Sequence, residues 1–356
     1  MMEILARTPR APLARLVPLR IFRDNSREAI LFGLICLMAV AINWRAPEYL
    51  APKNFDNLLY NLSFLAILAL GQLPVLLSRG IDLSQASVLA LTGMLLALLS
   101  QGSPDLPAFA HVALALALGA LLGATNGLFI AFLRIPPIIM TLGTMTVYRG
   151  LIYLLSGGAW VSSFEMSDAF KSIGAMRIAG LPLTFAIMIV ATAGIWYLLS
   201  ATRSGRNVYA VGGNPVAARL VGISERKVEL LVYALSGMAA GLCGYLWTAH
   251  FAIAYTQAAE GREFAIVASC VIGGVSIAGG KGTVPGAFLG ALFITVIDTS
   301  LPFLRISPFM QMAIIGAVIL IAVAANAQAE RQPGRQILRR SDEQNSGTEI
   351  SPGDRS

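Results

Sequence analysis

The sequence predicts an all-α, polytopic integral membrane protein with about ten transmembrane helices and both termini in the cytoplasm. Of its 356 residues, 56% are hydrophobic and only 13% are charged, whereas about a quarter of the residues in an ordinary soluble domain are charged. The apolar residues come in runs of about 20, the length that a helix needs to cross roughly 30 Å of hydrocarbon. Lys and Arg are divided unevenly between alternate connecting segments, which sets the orientation in the bilayer.

Ten apolar runs are candidate transmembrane helices. The third and eighth are short and are expected to be half-helices or re-entrant segments, because irregular backbone persists at membrane depth only inside protein or beside a cavity. In chain order the runs are Ala29 to Trp44, Leu58 to Leu77, Ser87 to Leu99, His111 to Leu133, Ile138 to Leu155, Leu181 to Leu199, Val228 to Trp247, Phe264 to Ile277, Val284 to Leu301 and Ile306 to Ala325.

The chain divides into a basic cytoplasmic segment (1–28), a transmembrane domain (29–326) with a long cytoplasmic loop (201–229), and a polar tail (327–356) that is expected to be disordered. Positively charged loops stay in the cytoplasm, and with the N-terminus inside, the inner segments hold most of the Lys and Arg residues. Much of that excess lies in the two tails, so the loops alone favour this topology by a small margin. The outer segments hold Arg45, Lys53, Lys171, Arg177, Arg262 and Arg305.

The net charge of +7 follows from juxtamembrane Lys and Arg, which favour contact with membrane lipid. No basic domain or aromatic stacking module accompanies it, so nucleic acid is not expected as a partner.

The cysteines and histidines do not form a pattern typical of a metal site. Cys36, Cys243 and Cys270 are far apart and lack C-x-x-C spacing, so we interpret them as packing residues rather than disulfide or zinc cysteines. His111 and His250 fall at external helix ends with no carboxylate or cysteine cluster near them in sequence, which favours interfacial positions. The sequence therefore predicts no metal site and no catalytic residue.

The long cytoplasmic loop contains a predicted short helix. Asn214 is a good N-cap, Pro215 is favoured in a first helical turn, and Gly222 suits a C-terminal stop. The helix between them is about a turn and a half long and is flanked by Arg and Lys residues. It either presents a rigid face of small side chains to a partner protein or lies in the interface and covers the helix bundle.

Four segments, in this order, resemble the permease subunits of bacterial ATP-binding-cassette (ABC) importers for sugars, the class that serves ribose, xylose, rhamnose and autoinducer-2. The resemblance covers nearly the whole chain, and the "LSGGAW" and "IDTSLPFLRIS" stretches look most like those of autoinducer-2 and rhamnose permeases. The four segments are "SRGIDLSQASVLALTG" (78–93), "LRIPPIIMTLGTMTVYRGLIYLLSGG" (133–158), "SGRNVYAVGGNPVAARLVGI" (204–223) and "VIGGVSIAGGKGTVPGAFLGALFITVIDTSLPFLRIS" (271–307).

The resemblance implies a channel-forming subunit whose cytoplasmic loop docks into a cleft of a separate ATPase. Ala217, Ala218 and Gly222 match the Ala-Ala-x-x-x-Gly core of the family's coupling motif, and Asn214 and Arg219 complete the implied ATPase-coupling site. Proline and valine stand where the family usually carries an acidic residue ahead of the alanines, so a salt bridge from that position is not implied.

The implied function is passage of a small sugar or sugar-like solute from a periplasmic binding protein across the bacterial inner membrane. A second permease subunit, identical or related, is implied as well. This chain itself binds no cofactor, because the partner ATPase uses the ATP. The alternative is an ion-coupled secondary transporter, which should carry a coupling carboxylate near the midplane, where Asp298 does not lie. A membrane-embedded enzyme should show converging His, Asp or metal-ligand sets, and none is evident.

The stretch "GGVSIAGGKGT" (273–283) is superficially similar to a phosphate-binding loop, which requires G-x-x-x-x-G-K-[ST]. Val275 replaces the first glycine, and Gly282 follows Lys281 where Ser or Thr is needed. The glycines are instead expected to let two helices and a tight turn approach closely. These packing glycines are Gly273, Gly274, Gly279, Gly280 and Gly282.

Gly80, Asp82 and Ser84 are expected at the cytoplasmic mouth, between the second and third spans. Asp82 can cap the next helix, where the positive end of the helix dipole favours an acid, and Ser84 can accept the same N–H donors. Capping is one interpretation of these residues; gating or contact with the ATPase is the other.

Thr141, Thr144 and Tyr148 share one face of the fifth span and are followed by Arg149. Such a polar stripe either lines the path of a hydroxyl-rich solute or forms hydrogen bonds with neighbouring helices. Arg149 and Asp298 are charged residues in the outer halves of their spans, where charge is costly unless paired or hydrated. Our hypothesis is that they pair with each other or line an outward vestibule.

Overall fold

In the computed structural model, residues 26–331 are described, and almost all of them are helical. A 3-10 turn, Pro47–Leu50, follows the first helix, and a small antiparallel hairpin pairs β1 (Arg177–Ile178) with β2 (Leu181–Pro182). Within this range the helices are α1 Ser26–Arg45, α2 Pro52–Leu77, α3 Gln85–Gly102, α4 Ala108–Leu133, α5 Pro137–Ser156, α6 Asp168–Ala175, α7 Leu183–Ala201, α8 Arg203–Gly213, α9 Pro215–Leu220, α10 Glu225–Phe251, α11 Arg262–Ile272, α12 Val284–Ser300 and α13 Pro308–Arg331.

Seven helices of the described range are long and apolar enough to cross a membrane: α1, α2, α3, α4, α5, α7 and α10. α12 and Phe309–Val318 of α13 are shorter apolar helices. The prediction of an all-α polytopic membrane protein is confirmed, with seven helices rather than ten meeting the length requirement. The third predicted span is a full 18-residue helix, so the expectation of a half-helix there is wrong. The eighth is the 11-residue α11, which ends before two glycines.

The predicted cytoplasmic placement of both termini stays a prediction. Residues 1–25 and 332–356, which make up most of the predicted N-terminal segment and polar tail, lie outside the described residues. α13 continues to Arg331 and so extends beyond the predicted start of the tail at residue 327.

The centre of the bundle is the crossing of α4 and α10, where glycines let the two backbones touch. A Cβ added to Gly123 would overlap the Tyr233 carbonyl oxygen, and one added to Gly237 would overlap the Gly119 carbonyl oxygen. Small residues four apart are the usual means of close helix contact in membranes. Glycines 119, 123 and 127 on α4, with 237 and 241 on α10, follow that spacing, so the sequence pattern could have identified this contact.

The amphipathic helix α6 covers the start of α4 and the end of α10. His111, predicted to be interfacial, is fully buried there, with its ring centroid 5.1 Å from that of Phe170 and 5.6 Å from that of Tyr245. His111 is buried because α6 packs over the end of the bundle, and this packing cannot be predicted from the sequence around His111. Cys243 and Cys270 are buried, as packing residues should be, whereas Cys36 is exposed.

Candidate functional site

The N-terminus of α9 is fixed by side-chain capping. Asn214 Oδ1 accepts hydrogen bonds from the backbone N–H groups of Val216 and Ala217, both at 3.1 Å. Pro215 occupies the first helical position, where its missing N–H has no helical partner to lose. The short helix lies where the sequence predicts it, and it begins with the predicted cap.

The C-terminus of α9 is closed by two backbone hydrogen bonds. The Ile223 N–H donates to the Ala218 carbonyl and the Gly222 N–H to the Arg219 carbonyl, both at 3.0 Å. Gly222 has φ of +83°, a left-handed conformation that costs other residues about 1–2 kcal/mol. With both ends closed, the six residues of α9 form a defined rather than a frayed helix.

The exposed surface of α9 is apolar. Val216 is 60% exposed, Leu220 84% and Val221 76%, while Ala218 is only 3% exposed. Val216 and Leu220 are one helical turn apart and therefore share a face. Exposed apolar side chains gathered on one element indicate an interaction surface. The sequence interpretation selected the two alanines and overlooked these three larger side chains, although their spacing could have identified them.

An ion pair links the end of α9 to the start of α10. Arg219 Nε lies 3.3 Å from Glu225 Oε1. Both side chains are partly exposed, so the pair contributes only about 0.2–1 kcal/mol. It orients the Arg219 side chain along the link between the two helices.

The base of α9 is held in a glycine junction, formed by Gly212, Gly213 and Gly280 with Leu77 and Arg79. Arg79 Nε donates to the Gly212 carbonyl at 2.8 Å and its Nη2 to the Gly213 carbonyl at 2.9 Å. The Gly280 N–H donates to the Leu77 carbonyl at 2.9 Å. A Cβ on Gly212 would overlap the Leu77 carbonyl oxygen, and one on Gly280 would lie 2.8 Å from Gly213 Cα. The end of α2, the end of α8 and the loop before α12 therefore meet backbone to backbone.

The packing glycines of the 273–283 loop take two roles. Gly273 lies directly against Gly286 of α12. The other four have positive φ angles between +72° and +151°, as a tight turn requires. The turn is attached to α8 by the Tyr209 hydroxyl, which donates to the Gly282 carbonyl at 2.9 Å.

Asp82 and Ser84 are buried between helices, and their predicted position at a cytoplasmic mouth stays a prediction. Asp82 is 2% exposed and Ser84 is fully buried. Asp82 Oδ1 accepts from the Ser84 N–H at 2.9 Å and from the Ser84 hydroxyl at 2.6 Å, and Oδ2 accepts from the Ser236 hydroxyl at 2.6 Å. Ser84 makes no side-chain cap bond, so its interpretation as an acceptor of helix N–H groups is wrong. It donates to the carboxylate instead.

Two amides complete this Asp82 cluster, which consists of Asp82, Ser84, Gln85, Asn126 and Ser236. Asn126 Nδ2 donates to Ser84 Oγ and Gln85 Nε2 donates to Ser236 Oγ, both at 2.8 Å. No Lys or Arg within residues 26–331 forms an ion pair with Asp82. Burial raises the pKa of the Asp82 carboxyl above its ordinary value, and the hydrogen bonds from Ser236 and Ser84 act in the opposite direction.

Gly80, two residues before Asp82, packs against Tyr233 of α10. A Cβ at this position would lie 2.5 Å from the Tyr233 hydroxyl oxygen. The absence of a side chain thus lets the link from α2 to α3 pass close to α10.

The polar stripe of α5 faces the bundle. Thr141 is buried, and its hydroxyl lies 3.0 Å from the Pro137 carbonyl of its own helix and 3.3 Å from the Ile81 carbonyl. The Tyr148 hydroxyl lies 2.7 Å from Thr125 Oγ1 of α4. Thr144, half-buried between them, donates to a carbonyl of its own helix. These are the contacts expected of the hydrogen-bonding interpretation of the stripe.

Arg149 and Asp298 each have a different partner. Arg149 Nη1 donates to the carbonyls of Thr256 and Ala258 at 3.1 and 2.8 Å. Asp298 Oδ2 lies 3.6 Å from Arg262 Nη2. The predicted pairing of Arg149 with Asp298 is wrong, because the link between α10 and α11 supplies carbonyls to Arg149, whereas Arg262 at the start of α11 supplies a cation to Asp298.

Comparison with known proteins identifies a family of transport proteins. Residues 54–323 match the family model described as branched-chain amino acid transport system / permease component. The ribose import permease protein RbsC of Haemophilus influenzae is 38% identical over 296 residues, 83% of this chain and 91% of the relative. The autoinducer 2 import system permease protein LsrC of Enterobacter sp. (strain 638) is 38% identical over 291 residues, 82% of this chain and 81% of the relative. No solved structure matches the chain significantly.

Proposed function

We propose, because this chain belongs to the family of permease components of the branched-chain amino acid transport system type, that it is the membrane-spanning subunit of an ABC importer in the bacterial inner membrane. It passes a small sugar or sugar-like solute, of the ribose, xylose, rhamnose or autoinducer-2 type, from a periplasmic binding protein to the cytoplasm. A separate ATPase binds and hydrolyses the ATP, and a second permease subunit, identical or related, completes the path. The named relatives, a ribose and an autoinducer 2 permease, support the solute class.

The observation that supports the proposal most is the way α9 is capped, exposed and attached to the rest of the chain. A helix that transmits motion from another protein needs capped ends, an exposed face for contact and a tightly packed attachment to the membrane domain. α9 has caps at both ends, Leu220 exposed on its surface, and the glycine junction at its base. The predicted coupling residues take part in this arrangement: Asn214 as the cap, Ala217 on the surface, Ala218 as the buried support, Arg219 in the ion pair and Gly222 at the stop.

The glycine junction supplies a route for motion from α9 to the membrane domain. A displacement of α9 moves Gly212 and Gly213, which are bonded to Arg79 at the end of α2, and Gly280, which precedes α12. The ATPase can shift the permease between conformations only if it binds them with different affinity. Docking on α9 in one conformation more tightly than in the other meets that requirement.

For the solute path we retain the residues chosen from sequence: Thr141, Thr144, Tyr148, Arg149 and Asp298. Thr141 and Tyr148 are now occupied by hydrogen bonds within the chain. The Tyr148 hydroxyl becomes available to a solute when α5 moves relative to α4, and the Thr141 hydroxyl when α5 moves relative to the link between α2 and α3.

One observation favours the alternative of ion-coupled transport. Asp82 is a buried carboxyl without an ion-pair partner in the described part of the chain, and buried acids without a partner can serve as proton sites in secondary transporters. Under the ABC proposal its role is structural, joining α3, α4 and α10 through Ser84, Asn126 and Ser236.

The proposal is tested by uptake in cells that lack their own importers for these solutes. The chain is expressed with its ATPase and binding protein, and labelled ribose, xylose, rhamnose and autoinducer-2 are supplied in turn. We expect uptake of one of them that is lost when either partner is omitted. Uptake that persists without the ATPase would contradict the proposal.

A further inference from the structure

Arg45 and Arg305 line one cavity at the end of the bundle that the predicted topology places outside. The cavity has a volume of about 640 Å³ and lies between the end of α1 with its 3-10 turn and residues 302–305, which link α12 to α13. Glu48 also lines it. Its size is in the range of ordinary ligand pockets.

These two arginines differ from the other outward cations whose side chains the structure describes. Neither forms an ion pair or a side-chain hydrogen bond within residues 26–331. Both nevertheless lie at the same cavity. The remaining described outward cations are each paired with an acid: Lys171 with Asp168, Arg177 with Asp56 and Arg262 with Asp298.

The surroundings of the cavity indicate lipid rather than water. α1 is almost unburied in the chain, and Leu37 and Val40 on its surface are 66% and 65% exposed, as expected of a helix in contact with acyl chains. Trp44, next to Arg45, is 90% exposed. Tryptophan at the end of an apolar helix is typical of the interface at headgroup level.

The charged groups of the cavity match one headgroup chemistry. Two guanidinium groups suit a phosphate, which arginine binds through paired N–H donors. The carboxylate of Glu48 forms no ion pair with either arginine within the described residues and can accept hydrogen bonds from an ammonium group. We propose that this cavity binds the headgroup of an outer-leaflet aminophospholipid, with Arg45 and Arg305 on the phosphodiester and Glu48 on the primary ammonium.

The backbone at Arg305 provides a variant that separates binding from folding. Arg305 has φ of +55° in a turn closed by a hydrogen bond from the Ile306 N–H to the Leu301 carbonyl at 3.3 Å. Glycine is the residue best suited to this left-handed position. Arg305→Gly therefore removes the cation while relieving the backbone, and the variant is expected to unfold in detergent at or above the wild-type midpoint.

The experiment measures the unfolding midpoint of the purified full chain as phospholipid is added, since a ligand that binds only the folded state raises the midpoint. Phosphatidylethanolamine should raise it at lower concentration than phosphatidylglycerol, which lacks the amine, or phosphatidylcholine, which lacks ammonium N–H donors. Arg45→Gln and Arg305→Gly should each raise the required phosphatidylethanolamine concentration about tenfold or more, as loss of a charge-assisted hydrogen bond predicts.

Two further variants sharpen the result. Lys171→Gln, which removes an outward cation already paired with Asp168, should leave the lipid response unchanged. Glu48→Gln should shift the preference from phosphatidylethanolamine to phosphatidylglycerol. The proposal is overturned if wild type responds equally to all three lipids, or if the Arg45→Gln/Arg305→Gly double variant keeps the wild-type response. Equal stabilisation by soluble phosphoethanolamine would support the chemistry of the pocket and overturn the lipid as its source.

Discussion

At the residue scale, Asp82 shows how burial changes what a residue type does. Its position ahead of α3 suggests a cap, and one carboxylate oxygen does accept an N–H, that of Ser84. The other oxygen accepts from Ser236, more than 150 residues later in the chain. Sequence spacing predicts the first contact, because it depends only on the local backbone. It cannot predict the second, which depends on how α10 packs.

The raised pKa of Asp82 has a consequence for the pH dependence of stability. A carboxyl whose pKa is raised on folding binds its proton more tightly in the folded state, so its contribution to stability is lost as pH rises. Between the unfolded value of about 3.9 and the raised folded value, the free energy of unfolding of wild type should fall with increasing pH. Asp82→Asn, which cannot titrate, should lack this component. If the free energies of unfolding of the two proteins changed in parallel from pH 4 to 8, the assignment would be contradicted.

Gly212 and Gly213 are adjacent in sequence but differ in the space available for a side chain, so alanine substitutions at the two positions form a matched pair. A Cβ on Gly212 would overlap the Leu77 carbonyl oxygen, whereas nothing lies within 4 Å of one on Gly213. Gly212→Ala should therefore reduce the free energy of unfolding by about 1–3 kcal/mol, as overpacking does, and should reduce transport. Gly213→Ala should change stability by no more than about 0.5 kcal/mol. Chemical unfolding in detergent measures both, and equal effects would show that the junction is not tightly packed.

At the element scale, the features that follow from local rules were predictable and those that depend on packing were not. Asn214, Pro215 and Gly222 identify α9 from sequence, because caps and stops act within a few residues. The length of α3 was underestimated because Gln85, Ser100 and Gln101 make its two ends polar, although the structure buries Gln85 and Ser100. The glycine contact between α4 and α10 cannot be inferred from the predicted ends of the spans. It becomes evident only when the spacing of glycines is compared between these two helices, which are distant in sequence.

The exposed face of α9 gives a prediction about docking. Leu220 is 84% exposed, so Leu220→Asp should leave the unfolding midpoint unchanged. If this side chain enters a cleft of the ATPase, its loss should weaken ATPase binding by more than about tenfold, as expected of a buried apolar anchor. A pull-down with the ATPase subunit measures this. Leu181→Ser, an exposed leucine of β2, is the control and should bind as wild type; equal binding by Leu220→Asp would exclude α9 as the docking element.

At the scale of the whole molecule, the chain is a helical permease, and its described residues form two separate structural features with a candidate functional role. One is α9 on the glycine junction, which suits a protein partner that delivers force. The other is the Asp82 cluster, which suits either a rigid core or a proton site. Charged pairs such as Asp298 with Arg262 could not be predicted, because each joins residues that only the folded chain brings together.

The measurement that tests the central claim most directly is solute accumulation in proteoliposomes made with purified components. Vesicles contain the permease with its ATPase, ATP inside, and the binding protein with its solute outside; a second set contains the permease alone with an imposed proton or sodium gradient. We expect accumulation in the first set that requires ATP hydrolysis and is insensitive to ionophores, and none in the second. Gradient-driven accumulation by the permease alone would contradict the account.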